Sequence, residues 1–310
     1  MNEQTEAPRG ETGAAATGER YARVSPAVEL CFEERGMASD PMVLLVMGLG
    51  LDLCWWRDAF FARLVTRGFR AVRFDNRDVG RSTHFTGPGV SGLQFLRRTS
   101  TPTYTLGDMA DDAAGLIARL APERGAHVVG TSMGSCIAQE LAIRHPDRVR
   151  SLVSIMGRPG DGHTGKVAKR MLPEFLRVTP ADPGRAVESL VKNFRRIGSV
   201  GRTADDDEDV RIAMRRSMER DQGDGTGSGR QLAAILAERD RTPDLRRLDL
   251  PVTVIHGLRD RVILPSGGRA TADAIPKAHL VEVPGMGHDM PRWAWPLILG
   301  AIERNAARSE

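Results

Sequence analysis

The sequence predicts an α/β fold with a mostly parallel central sheet, flanking helices and one inserted helical cap. From residue 21 to residue 156, short apolar runs typical of strands alternate with longer runs that have helical spacing. This alternation stops over residues 157–245, where the patterns are helical, and resumes over residues 246–310. Because parallel strands need crossover helices, the pattern indicates one α/β core, 21–156 and 246–310, interrupted by a cap. Residues 1–20 are polar and rich in small residues, which predicts a disordered tail.

Each element of the core has its own signal. Short apolar stretches predict strands at Val28–Phe32, Met42–Met47, Phe69–Phe74, His127–Val129, Val149–Met156, Val252–His256 and Ala278–Val283. Apolar residues at helical spacing predict helices at Trp55–Arg67, Thr105–Leu120, Ser135–Arg144, Gly267–Ala274 and Trp293–Ala307. In the second of these helices we expect Thr105 to cap the first turn, with Asp108 at the third helical position.

The inserted segment is predicted to contain amphipathic helices, at Lys166–Val178, Pro183–Ile197, Asp207–Arg220 and Arg230–Arg239. The connectors between them are acidic or rich in glycine. An independent second domain is the alternative interpretation of residues 157–245. It is less favoured, because the strands that follow are too few to form a sheet of their own.

The composition of the 310-residue chain argues against several classes of protein. Its net charge is +4, and its basic residues are scattered rather than clustered, which argues against a nucleic-acid partner. We expect no membrane association, because no apolar stretch approaches the length of a membrane span and the first twenty residues do not resemble a signal peptide. Cys31, Cys54 and Cys136 lack metal-ligand spacing, so we expect buried free thiols, no metal and a cytoplasmic location. A homodimer is compatible with the sequence.

The pentapeptide Gly130-Thr131-Ser132-Met133-Gly134 lies between a strand-like run and a helix-like run. A G-x-S-x-G pattern in this setting is typical of a nucleophile elbow, where a sharp turn exposes the serine hydroxyl. Glycines two residues before and after the serine avoid collisions with the strand and the helix. Short motifs recur by chance, so the interpretation depends on partners elsewhere in the chain.

A serine nucleophile needs a base to accept its proton and an acid to orient that base. His288 is the predicted base, because its glycine-rich loop follows an apolar strand and precedes the last helix. Asp260, just past a strand, is the predicted acid, and its neighbouring arginines would favour the ionised form if they face it. Asp161 is the competing acid. His256, which ends a strand, is interpreted as a packing residue beneath the site.

An oxyanion hole needs two N–H donors close to the serine. The predicted donors are Met133, at the start of the helix after the elbow, and Leu49, in a glycine-rich loop after an apolar strand. Glycines in that loop let the backbone approach a bound carbonyl. The substrate pocket is expected to include Gly48, Trp55, Trp56 and Met286, with Leu49 and Met290 as further apolar wall.

Together these segments resemble the α/β-hydrolase superfamily over nearly all of residues 25–305. The matching segments are Val46–Gly50, Phe74–Ser82, the Ser132 elbow, His256–Asp260 and Gly285–His288. The Val-Met-Gly loop and the Arg-Asp-x-Gly-Arg-Ser turn resemble the branch that contains aclacinomycin methylesterase. The resemblance implies a serine hydrolase that needs no cofactor, with Ser132, Asp260 and His288 as the triad and Leu49 and Met133 at the oxyanion positions. Two departures are Met47, where many relatives carry histidine, and Ser135, where a glycine is frequent.

We therefore expect hydrolysis of a carboxylic ester through an acyl-enzyme, with a small-molecule substrate. The cap and the apolar walls favour a medium or bulky apolar ester over a charged one, such as a methyl ester or lactone of a secondary metabolite. Alternatives on the same triad are a perhydrolase or haloperoxidase, a thioesterase and a C–C bond hydrolase. A non-catalytic ligand-binding relative is the alternative from a different class. Serine at position 132 argues against epoxide hydrolases and haloalkane dehalogenases, which need a carboxylate nucleophile.

Overall fold

The structure is a computed structural model that describes residues 18–87, 89–90, 101–168, 171 and 182–309. Within these residues one eight-stranded sheet is formed by β1 (Arg20–Ser25), β2 (Val28–Arg35), β3 (Met42–Val46), β4 (Arg70–Phe74), β5 (Ala126–Thr131), β6 (Val149–Ile155), β7 (Val252–Gly257) and β8 (His279–Val283). The strand order is β1-β2-β4-β3-β5-β6-β7-β8. The first two pairings are antiparallel, and every pairing from β4 to β8 is parallel.

The helices of the described residues are α1 (Asp58–Val65), α2 (Leu106–Leu120), α3 (Met133–Arg144), α4 (Pro183–Ile197), α5 (Ala204–Arg220), α6 (Gly227–Leu236), α7 (Thr242–Leu245), α8 (Ser266–Ala274) and α9 (Trp295–Ala307). None of these is both long and apolar enough to cross a membrane. The predicted helix at Lys166–Val178 falls largely outside the described residues. The predicted first helix is shorter than expected, because a 3₁₀ turn at Leu53–Trp55 precedes α1.

The predicted tail boundary at residue 20 is wrong, because Arg20 already begins β1. Strand β1 lies at the edge of the sheet and is half-buried, so its sequence carries little apolar signal. Strand β2 also runs further than its apolar residues predicted. Its last part contains Glu33 and Glu34, which are buried in ion pairs with Arg73 and Arg70 of β4. Residues 1–17 lie outside the described part of the chain.

The sheet is covered on both faces, as its apolar strands predict. Every residue of β3 is buried, which is typical of a central parallel strand. One face packs against α2 and α3 through residues such as Ile117 and Ile137, and the other against α1 and α9 through residues such as Phe60 and Ile298. The predicted capping box of α2 is confirmed, with Thr105 and Asp108 bonded to each other's backbone N–H.

The helices α4 to α7 lie between β6 and β7, and we call residues 182–245 the insertion. Three of its residues, Val191, Val210 and Ala213, join the apolar cluster on the face of α1 and α9. Ala234 and Leu245 join the cluster on the face of α2 and α3, and buried arginines add polar contacts with the core. Arg220 of α5 bonds to Asp52 and Asp75, and Arg230 of α6 bonds to Asp78.

The three cysteines are free and buried, as predicted. Each is packed inside the protein, and burial raises the pKa of the Cys54 thiol to about 12. In the described part of the chain, histidines, cysteines and carboxylates form no cluster of three that could hold a metal ion.

Candidate active site

The serine of the elbow lies at the turn from β5 into α3. Ser132 has φ 55° and ψ −122°, a strained conformation that an L-residue adopts only when its surroundings enforce it. A Cβ on Gly130 would lie 2.2 Å from the carbonyl oxygen of Gly134. A Cβ on Gly134 would lie 2.2 Å from the carbonyl oxygen of Val46. Both positions therefore admit only glycine, which explains the spacing of the motif.

The three predicted triad residues are brought together at one edge of the sheet. Ser132 Oγ lies 2.9 Å from Nε2 of His288, and Nδ1 of His288 lies 2.7 Å from Oδ2 of Asp260. Ser132 follows β5, Asp260 follows β7 and His288 follows β8. Since these strands are parallel, their carboxyl ends meet at the same edge, where ligand sites of α/β proteins form. The geometry permits proton transfer from the serine hydroxyl to the imidazole.

The carboxylate of Asp260 is buried and fully engaged. Its Oδ1 accepts hydrogen bonds from the N–H groups of Val262 and Ile263, both at 2.9 Å. Burial alone would raise the pKa of this carboxyl, but the charge of His288 and hydrogen bonds from His256 and His288 lower it to about 2. The sequence had suggested the neighbouring arginines for this role. The structure assigns the main stabilising contacts to the two imidazoles.

His256 lies directly beneath the acid, as its place at the end of β7 predicted. Its ring is fully buried, and Nε2 lies 2.9 Å from the carbonyl oxygen of Ile263 and 3.4 Å from Oδ2 of Asp260. Because a carbonyl can only accept, Nε2 carries the proton. The imidazole thus ties together both ends of the loop that presents Asp260.

The competing acid, Asp161, is used elsewhere. Its Oδ1 accepts hydrogen bonds from the N–H groups of His163 and Thr164, at 2.8 and 2.7 Å. Its Oδ2 accepts the hydroxyl of Thr164 at 2.7 Å. These contacts stabilise a local turn, and the structure brings Asp260 rather than Asp161 to the histidine.

The predicted oxyanion donors, Leu49 and Met133, belong to the loop after β3 and to the start of α3. Met133 is the first residue of α3, so its N–H has no acceptor within the helix. Leu49 lies in the loop after β3 and lines the same cavity as Ser132. The neighbouring Gly48 approaches the serine so closely that a Cβ there would lie 3.2 Å from Cβ of Ser132. Gln231 of the insertion holds this loop by accepting the N–H of Gly50 at 2.8 Å.

A cavity of about 300 Å³ opens onto Ser132 and His288. Core and insertion both contribute apolar side chains to its wall, namely Met47, Leu49, Leu51, Trp55, Phe60, Met156, Leu190, Phe194, Ile197, Val210, Val262, Met290 and Trp295. A volume of this size with mostly apolar walls and few polar groups is typical of a small-molecule site.

The sequence matches the family described as the alpha/beta hydrolase fold over residues 41–291. The chain belongs to the α/β-hydrolase family. The rhodomycin D methylesterases DauP of Streptomyces sp. (strain C5) and DnrP of Streptomyces peucetius are 27% and 29% identical to it, and each alignment covers 85% of this chain and 90% of the relative. The resemblance to the aclacinomycin methylesterase-like branch is therefore confirmed.

A solved structure shows the same fold. The esterase RhEst1 from Rhodococcus sp. ECU1013 superposes on this α/β hydrolase with a TM-score of 0.73 and 18% identity. The superposition covers 94% of this chain and 99% of that one. At this identity the likeness establishes the architecture alone.

Two of the expected pocket residues of this α/β hydrolase lie elsewhere. Among the described residues, the cavity wall includes Gly48 and Trp55 but neither Trp56 nor Met286. Trp56 is fully buried and stacks on Phe60 with ring centroids 5.7 Å apart. Met286 is also fully buried in the cluster on that face of the sheet. Neighbouring residues in a turn point in different directions, which a residue pattern alone does not reveal.

Apart from Thr131, Ser132 and His288, the polar part of the wall was missed. It consists of charged and amide side chains, namely Arg57, Asn193, Arg202, Asp206, Asp209 and Asp289. Most come from the insertion or its connectors, where exposed and cavity-facing charges look alike in sequence. The Arg57 guanidinium had one signal, its place beside two tryptophans.

The Asp75–Ser82 turn has a structural role. Asp75 accepts the N–H groups of Leu53 and Arg81, at 2.8 and 2.9 Å. Arg77 bonds to Asp112 of α2 at 2.6 Å. The sequence did not predict that Arg220 of the insertion also bonds to Asp75.

Proposed function

We propose that this chain is a carboxylic ester hydrolase that uses Ser132 as nucleophile, His288 as general base and Asp260 as the orienting acid. The observation that carries the proposal is the continuous chain of contacts from Ser132 Oγ to Nε2 of His288 and from Nδ1 to Asp260, at 2.9 and 2.7 Å. Ser132 and His288, at one end of this series of contacts, line a mostly apolar cavity. The methylesterase relatives support ester cleavage.

The reaction follows from the placement of these groups. Ser132 Oγ attacks the ester carbonyl while His288 takes its proton, and Asp260 holds the imidazole tautomer that leaves Nε2 free to accept it. The oxyanion is stabilised by the N–H groups of Leu49 and Met133. His288 then protonates the leaving alcohol, which leaves an acyl group on Ser132. A water molecule, deprotonated by His288, releases the acid and restores the serine.

The walls of the cavity favour an ester with a medium or bulky apolar portion. The insertion contributes Leu190, Phe194 and Val210 to the wall, so it closes the site as a cap. Because cap residues contact the substrate body and core residues contact the reacting ester, selectivity is expected to depend on the cap. The methylesterase relatives favour a methyl ester as the scissile group.

Replacing the nucleophile tests this function. Ser132→Ala is expected to lower kcat/KM toward 4-nitrophenyl and methyl esters by about a thousandfold or more, because the acyl-enzyme cannot form. Ser135→Ala is the matched control, since Ser135 lies one helical turn on and bonds to Ser154 Oγ at 2.7 Å. Its kcat/KM is expected to change only about threefold or less.

Labelling distinguishes the proposal from a non-catalytic binding protein. A fluorophosphonate probe should attach to Ser132 in the wild type and not in Ser132→Ala. Failure of the wild type to react with the probe, together with no turnover of any ester, lactone or thioester, would overturn the proposed function.

A further inference from the structure

The cavity contains buried N–H donors that the proposed reaction does not use. Nη1 of Arg57 and Nε of Arg202 are both shielded from solvent, and neither has a hydrogen-bond partner among the described residues. Both side chains line the cavity that holds Ser132. Buried polar groups nearly always have a partner, so an unpaired donor on a side chain that lines a cavity indicates a missing acceptor.

The two arginines differ in what holds them. The guanidinium of Arg202 bonds to Asp289 and Asp207, so its position is explained by those ion pairs. Arg57 has no ion pair among the described residues, and its guanidinium carbon lies 4.7 Å from the ring centroid of Trp55. Contact with an aromatic face leaves the N–H edge of a guanidinium available for an acceptor.

The aromatic support of Arg57 is itself fixed. Trp55 stacks on Phe194 of α4 with ring centroids 5.3 Å apart and an interplanar angle of 13°. Its Nε1–H donates to Ser217 Oγ of α5 at 3.1 Å. The indole of Trp55 is thus held by contacts with α4 and α5 of the insertion, and it fixes the position of the Arg57 guanidinium.

Nearby carboxylates attract Arg57 without bonding to it. Asp209 receives two hydrogen bonds from Arg292, each at 2.7 Å. Asp206 accepts the N–H groups of Thr203 and Arg292, at 2.7 and 2.8 Å. Burial lowers the pKa of Arg57 to about 10, although Asp209 and Asp206 act in the opposite direction. The guanidinium therefore stays charged at neutral pH and lacks a direct partner.

We propose that Arg57 binds an acceptor oxygen of the substrate that is separate from the scissile ester, a carboxylate or a ketone carbonyl. This inference rests on the proposed function and sharpens it. The substrate has an apolar body and one oxygen substituent that reaches the guanidinium of Arg57. The sequence had suggested an uncharged apolar ester, because the place of Arg57 beside two tryptophans did not by itself reveal that it lines the pocket.

Three series of 4-nitrophenyl esters test the proposal. Their acyl chains have matched lengths and end in a methyl group, a methyl ketone or a carboxylate. The measurement is the ratio of kcat/KM for each oxygenated ester to kcat/KM for the plain ester of the same length. In Arg57→Met this ratio is expected to fall about tenfold or more at the chain length that reaches the guanidinium.

Two further variants make the result specific. Arg63→Met is the matched control, because Arg63 stacks on another cavity tryptophan, Trp295, at 5.5 Å but does not line the cavity. Its ratio should stay within about twofold of the wild type. Arg57→Gln keeps an N–H donor but removes the positive charge. If this charge selects the substrate, the variant should retain a larger fraction of the wild-type kcat/KM ratio for the ketone esters than for the carboxylate esters.

Unchanged ratios in Arg57→Met at every chain length would overturn the inference, as would an equal fall in Arg63→Met. Loss of the proposed function is a different result, in which no ester in any series is turned over. In that case calorimetry with methyl hexanoate and methyl 5-oxohexanoate decides, because tighter binding of the keto ester that disappears in Arg57→Met still supports the subsite. A melting temperature of Arg57→Met at or above that of the wild type confirms that the variant folds.

Discussion

The core and the insertion of this molecule are held in place by different forces. In the core, strands such as β3 are buried throughout, and apolar helices cover both faces of the sheet. In the insertion, α5 has few buried apolar residues, and Arg220 at its end enters the core to bond with Asp52 and Asp75. Arg230 of α6 makes a similar contact with Asp78.

This difference separates chemistry from selectivity. Apolar burial is not directional, and it gives a rigid sheet whose strand ends fix Ser132, Asp260 and His288. Buried ion pairs are directional and costly to desolvate, so each one specifies where an insertion helix lies. The reacting groups thus sit on the rigid part, and the part that covers the substrate is positioned by a few charged residues.

The largest expected effect tests whether the chemistry belongs to the core. Asp260→Asn should lower kcat/KM by about a thousandfold to ten-thousandfold, because the amide no longer holds the required imidazole tautomer. Asp161→Asn, at the start of the segment that leads to the insertion, should change it by about threefold or less, since Asp161 only stabilises its own turn. Steady-state kinetics on one aryl ester compares the two. The reverse ranking would move the acid to Asp161.

The next effect tests how the insertion is attached. Arg230→Met should lower the free energy of unfolding by about 3–5 kcal/mol, because it leaves the carboxylate of Asp78 buried without its cation. Arg211→Met removes an exposed pair between α5 and Glu188 of α4, which water screens, so it should cost far less stability than Arg230→Met. Urea unfolding gives both values. A loss for Arg230→Met no larger than for Arg211→Met would mean that apolar contacts attach the insertion.

The third effect is the pH dependence of the free energy of unfolding that a buried histidine of the core causes. His127 of β5 is buried, and burial with the charge of Arg150 lowers its pKa to about 4. An unfolded histidine binds a proton near pH 6.5, so between pH 6.5 and 4 the unfolded state holds more protons and acid favours unfolding. Stability should fall by about 2 kcal/mol from pH 7.5 to pH 5 through this residue.

The matched variant for this effect is His127→Gln. In the wild type, Nδ1 of His127 lies 2.9 Å from Ser151 Oγ, and the glutamine amide can still bond to that hydroxyl. Urea unfolding of both proteins at pH 7.5 and pH 5 gives the two differences. If the variant loses as much stability in acid as the wild type, the pH dependence comes from another group.

The smallest effect asks whether core and insertion unfold together. Two helices have the same capping box, Thr105 with Asp108 in α2 and Thr203 with Asp206 in α5. Thr105→Ala and Thr203→Ala should each lower the free energy of unfolding by about 1 kcal/mol if the molecule unfolds as one unit. A loss for Thr105→Ala alone, with faster amide exchange in α5 for Thr203→Ala, would show that the insertion opens separately.

The residue pattern predicted most of the core, because apolar periodicity and capping act over short distances. The strands from β3 to β8 and the capping box at Thr105 are where the sequence placed them. Strand β1 was missed because an edge strand buries too little to leave an apolar pattern. The end of β2 was missed because Glu33 and Glu34 are buried as ion pairs, and a single strand does not reveal its partners across the sheet.

The sequence by itself determined the order of strands β2 to β8, the glycine-framed turn at Ser132 and the three side chains placed beyond strand ends. These depend on local backbone sterics and on patterns that repeat within one element. Only the tertiary structure decided that Asp260 rather than Asp161 meets His288, that Trp55 but not Trp56 faces the cavity, and that Arg57 has an unpaired N–H there. Each of these depends on which distant residues share a small buried space, and the free energy of burying a charge is set by those neighbours.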